Sequence, residues 1–157
     1  MRIRPSTPGD APAMLDVARA LPQWFNAGGL EEMAKDFQVH QGFVAVDENG
    51  AAVGFATFSP LSVEAALLSW IGVRPEARRH GLGRKLIEAL EEKLVALGFS
   101  RLEVETLAHT ADYQPYEETR RFYLAAGFKP KAFVPERWGA GQDALVLSRN
   151  LGPRPGA

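Results

Sequence analysis

Apolar residues recur along the chain with two different periods, and these periods predict where its helices and strands lie. From Gly81 to Leu97, leucines return every three or four residues, which is the spacing of one buried helix face. Gly98 is a natural end for that helix. Three short apolar runs predict strands, over residues 43–46, 52–58 and about 65–73. The turn Glu48-Asn49-Gly50 joins the first two of them as a hairpin.

The other segments complete the element order βααβββαβαββ. Ile3 lies in a short first strand, and Pro75 ends the third strand of the antiparallel run. The remaining elements are helices over residues 11–21, 30–37 and 116–126, and strands around residues 102–104, 128–134 and 144–147. An antiparallel run that leads into a helical crossover implies a mixed sheet with helices on its faces. The expected fold class is α/β (α+β), with a mixed, mostly antiparallel sheet of about seven strands and about four helices.

Composition narrows the class of protein more than it points to a function. With 157 residues, 46% of them apolar, we predict a single domain over residues 1–151 and a flexible tail over 152–157. The net charge of −1 gives no general attraction to nucleic acid or to an anionic membrane, and neither is an expected partner. The absence of cysteine excludes disulfides and thiolate metal sites, fits a cytoplasmic protein, and leaves no metal expected.

The stretch from Val73 to Leu86 is the most informative in the chain. It leads from an apolar strand, through a turn with Gly81 and Gly83, into an amphipathic helix. Free amides and the dipole at a helix start favour phosphate oxygens, and glycines let such a group approach the backbone closely. Positive charge is concentrated around the same turn, on Arg78, Arg79, Arg84 and Lys85. The pattern favours a pyrophosphate site, and the alternative is a solvated basic turn that caps an ordinary helix.

Two other phosphate-binding motifs do not fit this turn. A P-loop needs Ser or Thr after Gly-Lys, and Gly83-Arg84-Lys85 does not supply it. A dinucleotide-binding fingerprint needs a third glycine three residues after the second, where this chain has Leu86. The turn therefore belongs to neither class.

Two motifs in register resemble a known family. Arg78-x-x-Gly81-x-Gly83, after Val73-Arg74-Pro75, resembles the acyl-CoA signature of the GNAT superfamily of N-acetyltransferases. The stretch from Thr119 to Phe128 is similar to the second signature of that family, a helix that carries Phe-Tyr and ends in Gly-Phe. The resemblance covers roughly residues 2–150. It implies an enzyme that moves an acetyl group from acetyl-CoA to a primary amine of a small molecule or peptide.

The resemblance also implies which residues hold acetyl-CoA. Backbone amides from Arg79 to Arg84 would bind the pyrophosphate, and Ile71 and Val73 would pair with the pantetheine arm as an added strand does. Gly72 between them would mark a bulge that separates this strand from the next. The full set of expected contacts is Ile71, Gly72, Val73, Arg78, Arg79, His80, Gly81, Leu82, Gly83, Arg84, Tyr116, Thr119, Phe122 and Tyr123. One position departs from the family, because Tyr116 stands where many members carry a pantetheine-binding Asn.

Amide formation needs a proton for the departing thiolate and a base for the amine. The resemblance makes Tyr123 the general acid; the alternative is that Phe122 and Tyr123 are a core pair. Some relatives use a glutamate on the strand before the phosphate turn as the base, but this chain has Leu67 there, which accepts no proton. Glu103 and Glu105 share one face of a strand, so they are our candidates for amine binding or for a base that acts through water. The alternative for both is an exposed polar sheet face.

Aromatic residues are the candidates for the amine pocket. Trp24, Phe25, Trp70 and Trp138 could surround a cationic amine, although each is equally a candidate for the core. Such a pocket suits a small polyamine, an amino acid derivative or a protein N-terminus. The family resemblance is also compatible with a homodimer. Two other functions stay open at this stage. One is a non-catalytic acyl-CoA-binding regulatory domain, which Leu67 supports, and the other is a nucleic-acid-binding module.

Overall fold

Seven strands form one sheet in the order β1-β2-β3-β4-β5-β7-β6 in the computed structural model, which describes residues 1–152. The strands are β1 Arg2–Pro5, β2 Gln41–Val46, β3 Ala52–Pro60, β4 Ala65–Val73, β5 Arg101–Leu107, β6 Lys129–Val134 and β7 Ala144–Asn150. Neighbouring strands are antiparallel, except that β4 and β5 run parallel. The predicted element order and the mixed, mostly antiparallel sheet are confirmed. The predicted tail lies, apart from Gly152, outside the described residues.

Four helices accompany the sheet: α1 Ala11–Arg19, α2 Ala27–Val39, α3 Leu82–Ala96 and α4 Pro115–Ala125. The apolar period of α3 is buried as predicted at Leu86, Leu90 and Leu94, which are fully inaccessible. The prediction is wrong for Leu97, which follows the last helical residue and is 47% exposed. Helix α2 begins earlier than the predicted Leu30, because the Asn26 side chain accepts a hydrogen bond from the Gly29 amide and caps the helix start. None of the described helices is long and apolar enough to cross a membrane.

Two apolar clusters lie on opposite faces of the sheet. One joins α3 and α4 to the sheet and includes Leu86, Val104 and Tyr123. The other joins α1 and α2 to the sheet and includes Met14 and Phe55. Because strand residues alternate between the faces, a side chain's cluster shows the direction in which it points. The sheet therefore has an α3–α4 face and an α1–α2 face.

The sheet is split in its middle, between β4 and β5. These strands pair only from Ala65 to Leu67 with Arg101 to Glu103, and they diverge beyond that point. In the second half of β4, backbone groups on the edge that faces β5 therefore have no strand partner. The same holds for the edge of β5 that faces them. The divergence opens a cleft that runs through the sheet, and the turn after β4 lies at its end.

The bulge in β4 lies at Ser69 and not at the predicted Gly72. Trp70 pairs with Thr57 and Leu68 pairs with Phe58, so Ser69 is the extra residue. Gly72 is in regular register opposite Phe55. A Cβ there would lie 3.0 Å from the Phe55 ring and 3.2 Å from the Leu21 side chain. Close packing of these two side chains, rather than a bulge, is the reason for the glycine.

Candidate active site

The cleft between the diverging strands has a volume of about 1780 Å³. Its walls come from β4, β5, the segment between α1 and α2, the turn before α3, the first turns of α4 and the loop between β6 and β7. We call the part formed by residues 78–84 and the β4 edge at Ile71 and Val73 the phosphate end. We call the part formed by residues 21–29, by α2, by Ser69 and Trp70 of β4, by Glu105 of β5 and by the β6–β7 loop the acceptor end.

The turn of the phosphate end presents a row of free backbone donors. Among the described residues, none of the amides of residues 79–84 has a hydrogen-bond acceptor. Arg79 and Gly81 both adopt a positive φ of 69°, and α3 begins at the next residue, Leu82. Alternation of this kind turns successive N–H groups toward one point, where the helix dipole adds partial positive charge. The turn therefore forms an anion-binding concavity before any side chain is counted.

The two glycines of the turn have different roles. A Cβ on Gly81 would meet nothing within 4 Å, so only its backbone conformation calls for glycine. A Cβ on Gly83 would lie 3.0 Å from two atoms of the Phe122 ring. Arg84 also donates a hydrogen bond to the Ala125 carbonyl at 3.0 Å. Gly83 thus permits close packing of α4 on α3. From the sequence, this glycine was expected to permit the close approach of a phosphate.

Backbone groups of β4 face the cleft at the residues predicted from the sequence. The Arg74 amide donates to the Val53 carbonyl of β3 at 2.9 Å, so Arg74 points its backbone groups at β3. Because the direction alternates along a strand, Ile71 and Val73 point theirs the other way, into the cleft. His80 differs from its neighbours, since its side chain borders a separate depression of about 230 Å³ with Met1 and Lys85.

Tyr123 lies in α4 with its ring in the core and its hydroxyl at the cleft. The residue is 5% exposed, and its ring packs against Phe122 and Phe128 at centroid distances of 5.5 Å. Within residues 1–152 the hydroxyl has no hydrogen-bond partner, yet only Thr106 Oγ1 is both buried and unpartnered there. The Tyr123 hydroxyl is therefore accessible from the cleft that the residue lines. Burial, and to a smaller degree Tyr116, raises the pKa of the Tyr123 phenol above its ordinary value.

The segment between α1 and α2 is fastened across the cleft to the start of α4. Tyr113 donates to the Gln23 carbonyl at 2.8 Å, and Tyr116 donates to the Trp24 carbonyl at 3.2 Å. The indole Nε1 of Trp24 donates to Thr119 Oγ1 at 2.9 Å. We call this set of hydrogen bonds the strap. Burial and the neighbouring Tyr113 raise the pKa of the Tyr116 phenol.

The strap also reaches the phosphate end. The Arg78 guanidinium carbon lies 4.8 Å above the centroid of the Trp24 ring, within the range of a cation–π contact. Trp24, which belongs to the acceptor end, therefore contacts both α4 and the phosphate end. The hydroxyl of Tyr116, at the position where the family often has Asn, is engaged by a backbone carbonyl of the strap.

The four candidate aromatic residues all line the cleft. Phe25 and Trp70 meet edge to face with centroids 6.1 Å apart, and both also pack against the α1–α2 core. The Trp70 indole donates to Asp36 Oδ2 at 2.8 Å. Trp138, in the β6–β7 loop, is 46% exposed. Both readings of these residues from the sequence, core and pocket, thus describe part of what they do.

The structure separates the two candidate glutamates of β5. Glu103 is 7% exposed and accepts hydrogen bonds from Lys131 at 2.6 Å and from Arg101 at 2.8 Å. Burial alone would raise the pKa of Glu103, but these two hydrogen bonds outweigh it and the pKa is lowered. Glu105 has one partner, Arg137 at 3.2 Å. Of the two, Glu105 lines the cleft and Glu103 does not.

Sequence reasoning missed a polar network at the acceptor end. His40 Nδ1 lies 3.0 Å from Ser69 Oγ, which lies 2.8 Å from Thr57 Oγ1. Asp36 Oδ1 lies 3.7 Å from His40 Nε2. The four-residue spacing of Asp36 and His40 was visible in the sequence, but nothing there linked the pair to Ser69. Among residues 1–152, no group of three or more side chains is arranged to hold a metal ion.

The charges of the lining are unevenly divided. The three arginines of the lining all belong to the turn, at 78, 79 and 84. Apart from Glu76, which precedes the turn, the acidic side chains come from α2, β5 and α4: Glu32, Asp36, Glu105 and Glu118. An anion is therefore favoured at one end and a cation at the other.

Comparison with known proteins finds similar sequences over most of the chain. A model of the acetyltransferase (GNAT) family matches residues 13–128. The N-acetyltransferase YhbS of Escherichia coli (strain K12) is 30% identical over 155 residues, which cover 95% of this chain and 87% of that protein.

Solved structures show the same fold. A GNAT-family protein from Desulfovibrio desulfuricans matches with a TM-score of 0.86 at 23% identity, over 96% of this chain and 99% of that one. An aminoglycoside 6′-N-acetyltransferase in complex with coenzyme A matches with a TM-score of 0.79 at 19% identity, over 99% of both chains.

Proposed function

Because this chain belongs to the GNAT family of acetyltransferases and is an acetyl-CoA-dependent acyltransferase, we propose that it acetylates a primary amine of a small molecule or peptide. One observation carries the proposal. The free amides of residues 79–84, the open edge of β4 and the hydroxyl of Tyr123 all border one cleft. These are the three groups that a diphosphate, an extended amide-containing arm and a departing thiolate require.

We assign the binding of acetyl-CoA mainly to backbone groups. The amides of residues 79–84 hold the pyrophosphate, with Arg78, Arg79 and Arg84 adding positive charge. Ile71 and Val73 pair with the pantetheine arm through the backbone groups that face the cleft. The Ile71 amide then lies along the path of the arm, where it polarises the thioester carbonyl.

We assign Tyr123 as the acid of the reaction. Its hydroxyl reaches the cleft while its ring is fixed by the core, so its position is defined. The raised pKa keeps the phenol protonated at neutral pH. It can therefore donate its proton to sulfur as the carbon–sulfur bond breaks.

We propose that the acceptor is a cationic amine and that Glu105 binds it. Acidic side chains and aromatic rings surround the acceptor end, and both stabilise an ammonium group. Glu105 is preferred to Glu103 because Glu103 is engaged by two cations and lies outside the lining. Small polyamines, amino acid derivatives, aminoglycosides and peptide N-termini all satisfy this description.

The test is release of free thiol from acetyl-CoA in the presence of a panel of amines. The panel contains spermidine, kanamycin, an amino acid amide and a peptide with a free α-amino group. We expect acetyl-CoA binding by calorimetry and amine-dependent thiol release with at least one member. Binding without turnover on every amine would instead support the non-catalytic regulatory domain. Leu67, at the position where some relatives have the base, favours that alternative. Absence of binding would overturn both functions.

A further inference from the structure

The acceptor end needs a base that the family resemblance does not supply. Alkyl ammonium groups have pKa values of about 10, so the amine reaches the cleft protonated at neutral pH. The position that often carries a glutamate in this fold is Leu67, the last residue of β4 paired with β5. Polar side chains on the α1–α2 face of β4 are candidates for the missing base.

The β-bulge turns Ser69 toward α2. Leu68 before the bulge and Ile71 after it belong to the apolar cluster under α3 and α4. Trp70, by contrast, packs with the α1–α2 cluster. At a bulge two consecutive side chains can point to the same face, and here both Ser69 and Trp70 contact side chains of α2 or its C-cap. Without the extra residue, the two would point to opposite faces.

Ser69 is the first member of a linear chain of polar groups. Its hydroxyl is 3.0 Å from His40 Nδ1, and the far nitrogen of the same imidazole is 3.7 Å from the Asp36 carboxylate. The other oxygen of Asp36 accepts the Trp70 indole N–H at 2.8 Å, which fixes the carboxylate. Ser69, His40 and Asp36 all line the cleft, with His40 19% exposed and Asp36 28% exposed at their side chains.

One of the two neutral tautomers of the imidazole lets Nδ1 accept a hydrogen bond from Ser69. A proton on Nε2 faces the carboxylate of Asp36, and Nδ1 is then left to accept the hydrogen of Ser69. Thr57, which is fully buried, donates its hydroxyl hydrogen to Ser69 in this arrangement. Among residues 1–152, Asp36 is the acidic residue within 4.0 Å of the imidazole nitrogens. The other acidic groups of the cleft, Glu32, Glu76, Glu105 and Glu118, make no such contact.

We propose that Ser69, His40 and Asp36 form a proton relay that deprotonates the acceptor amine, an inference that rests on the proposed acetyltransferase function. Ser69 takes a proton from the ammonium group as its own proton passes to His40 Nδ1, and Asp36 stabilises the imidazolium. The neutral amine forms the carbon–nitrogen bond, the carbon–sulfur bond breaks, and Tyr123 donates its proton to sulfur. The second amine proton restores Tyr123 through water, and His40 releases its proton to solvent, so each turnover frees one proton.

The relay is tested with the amine that the unaltered chain acetylates fastest in the panel. His40→Gln and Ser69→Ala should each lower kcat/KM for that amine by about 10²-fold at pH 7, within the range for general-base catalysis. The deficit should shrink as the pH approaches the pKa of the amine, because the amine then arrives neutral. The double variant should lose no more than either single variant, because the two residues act as one unit.

Two controls separate a relay from a fastener that merely holds α2 on β4. His109→Gln replaces a histidine in a short 3-10 turn outside the lining and should leave kcat/KM unchanged. Each relay variant is also compared with the unaltered chain for thermal unfolding and for acetyl-CoA binding, and both should be retained. Asp36→Asn keeps the shape of the pair and should lower kcat/KM less than His40→Gln does.

The outcomes distinguish failure of the relay from failure of the proposed function. If the unaltered chain acetylates no amine, the proposed function is wrong and the relay falls with it. If the unaltered chain is active and His40→Gln or Ser69→Ala keeps full kcat/KM, the relay alone is wrong. A deficit that is the same at every pH, or that adds fully in the double variant, would show a structural role and would likewise overturn the relay.

Discussion

We propose that the two ends of the cleft bind acetyl-CoA and the acceptor amine with different parts of the polypeptide. The phosphate end uses backbone amides of one continuous turn and the edge of one strand. The acceptor end uses side chains from α2, β4, β5 and the β6–β7 loop, which are far apart in the sequence. One end is thus defined by local conformation, and the other by how distant elements pack.

The two ends should therefore respond differently to the substitution of single residues. A backbone site depends on the few residues whose φ and ψ angles shape it, so most side chains there can vary. A side-chain site depends on the identity of each residue and on the packing that brings them together.

The largest effect is expected at Tyr123, which lies between the two ends. Tyr123→Phe removes a hydroxyl that has no hydrogen-bond partner within residues 1–152, so the fold should keep its stability. Turnover should fall by about 10²- to 10⁴-fold, because the departing sulfur loses its proton donor. Steady-state kinetics measure kcat, and calorimetry should find acetyl-CoA affinity close to that of the unaltered chain. Full turnover in this variant would remove Tyr123 from the chemistry.

Gly81→Ala is the sharpest test of a site made of backbone. The φ of 69° places an alanine in the left-handed region, which costs about 1–2 kcal/mol, and no atom within 4 Å adds a clash. Urea unfolding should show that loss, and acetyl-CoA affinity should fall about tenfold as the turn changes shape.

Gly50→Ala is the matched control for this variant. Gly50 has a similar φ of 81° and equally open surroundings, in the hairpin turn between β2 and β3. It should lose similar stability and no affinity for acetyl-CoA. Equal affinities in the two variants would contradict the assignment of the turn at 78–84.

The turn and the helix start of the phosphate end could be predicted from the sequence because their determinants are local. That they bind a pyrophosphate stays a prediction. Arg78, Gly81 and Gly83 lie within a single turn, and the helix after them shows its period in the leucines. The element order could also be predicted, since strands, turns and helices each leave a short-range pattern. Even the residues of β4 that face the cleft, Ile71 and Val73, follow from counting along one strand.

The acceptor end could not be predicted in the same way. Ser69 joins His40 only because a bulge changes the alternation of β4, and the sequence suggested the bulge at Gly72 instead. A bulge depends on how two strands pair, which no short stretch records. The separate roles of Glu103 and Glu105 depend likewise on Lys131 and Arg137, which the fold brings from another part of the chain.

Glu103→Gln tests whether that glutamate serves the fold rather than the site. Its pKa is lowered in the folded state, so its ion pairs stabilise the protein above the ordinary glutamate pKa, and this contribution is lost as the pH falls through the lower folded-state pKa. The variant should be less stable by about 1 kcal/mol at pH 7, since both cations are partly exposed, and the difference should shrink as the pH falls below the ordinary glutamate pKa.

Glu117→Gln is the control for this measurement. It breaks an exposed pair with Arg121 and should change stability by less than about 0.5 kcal/mol. Denaturant unfolding at pH 7 and pH 3 measures both variants. A loss for Glu103→Gln that is equally large at both pH values would contradict the ion-pair explanation.

The smallest effect is expected where the strap joins the acceptor end to α4, at the hydrogen bond from Trp24 to Thr119. Thr119→Val keeps the shape of the side chain and removes the acceptor, while Trp24→Phe keeps an aromatic ring beneath Arg78 and removes the donor. Thr119→Val should lower the free energy of unfolding by about 1 kcal/mol. Loss of the indole donor in Trp24→Phe should lower it by a similar amount. A double-mutant cycle isolates the coupling, which should be about 0.5–1 kcal/mol. Because this bond holds a residue of the acceptor end on α4, a coupling of zero would mean that packing alone holds the acceptor end there.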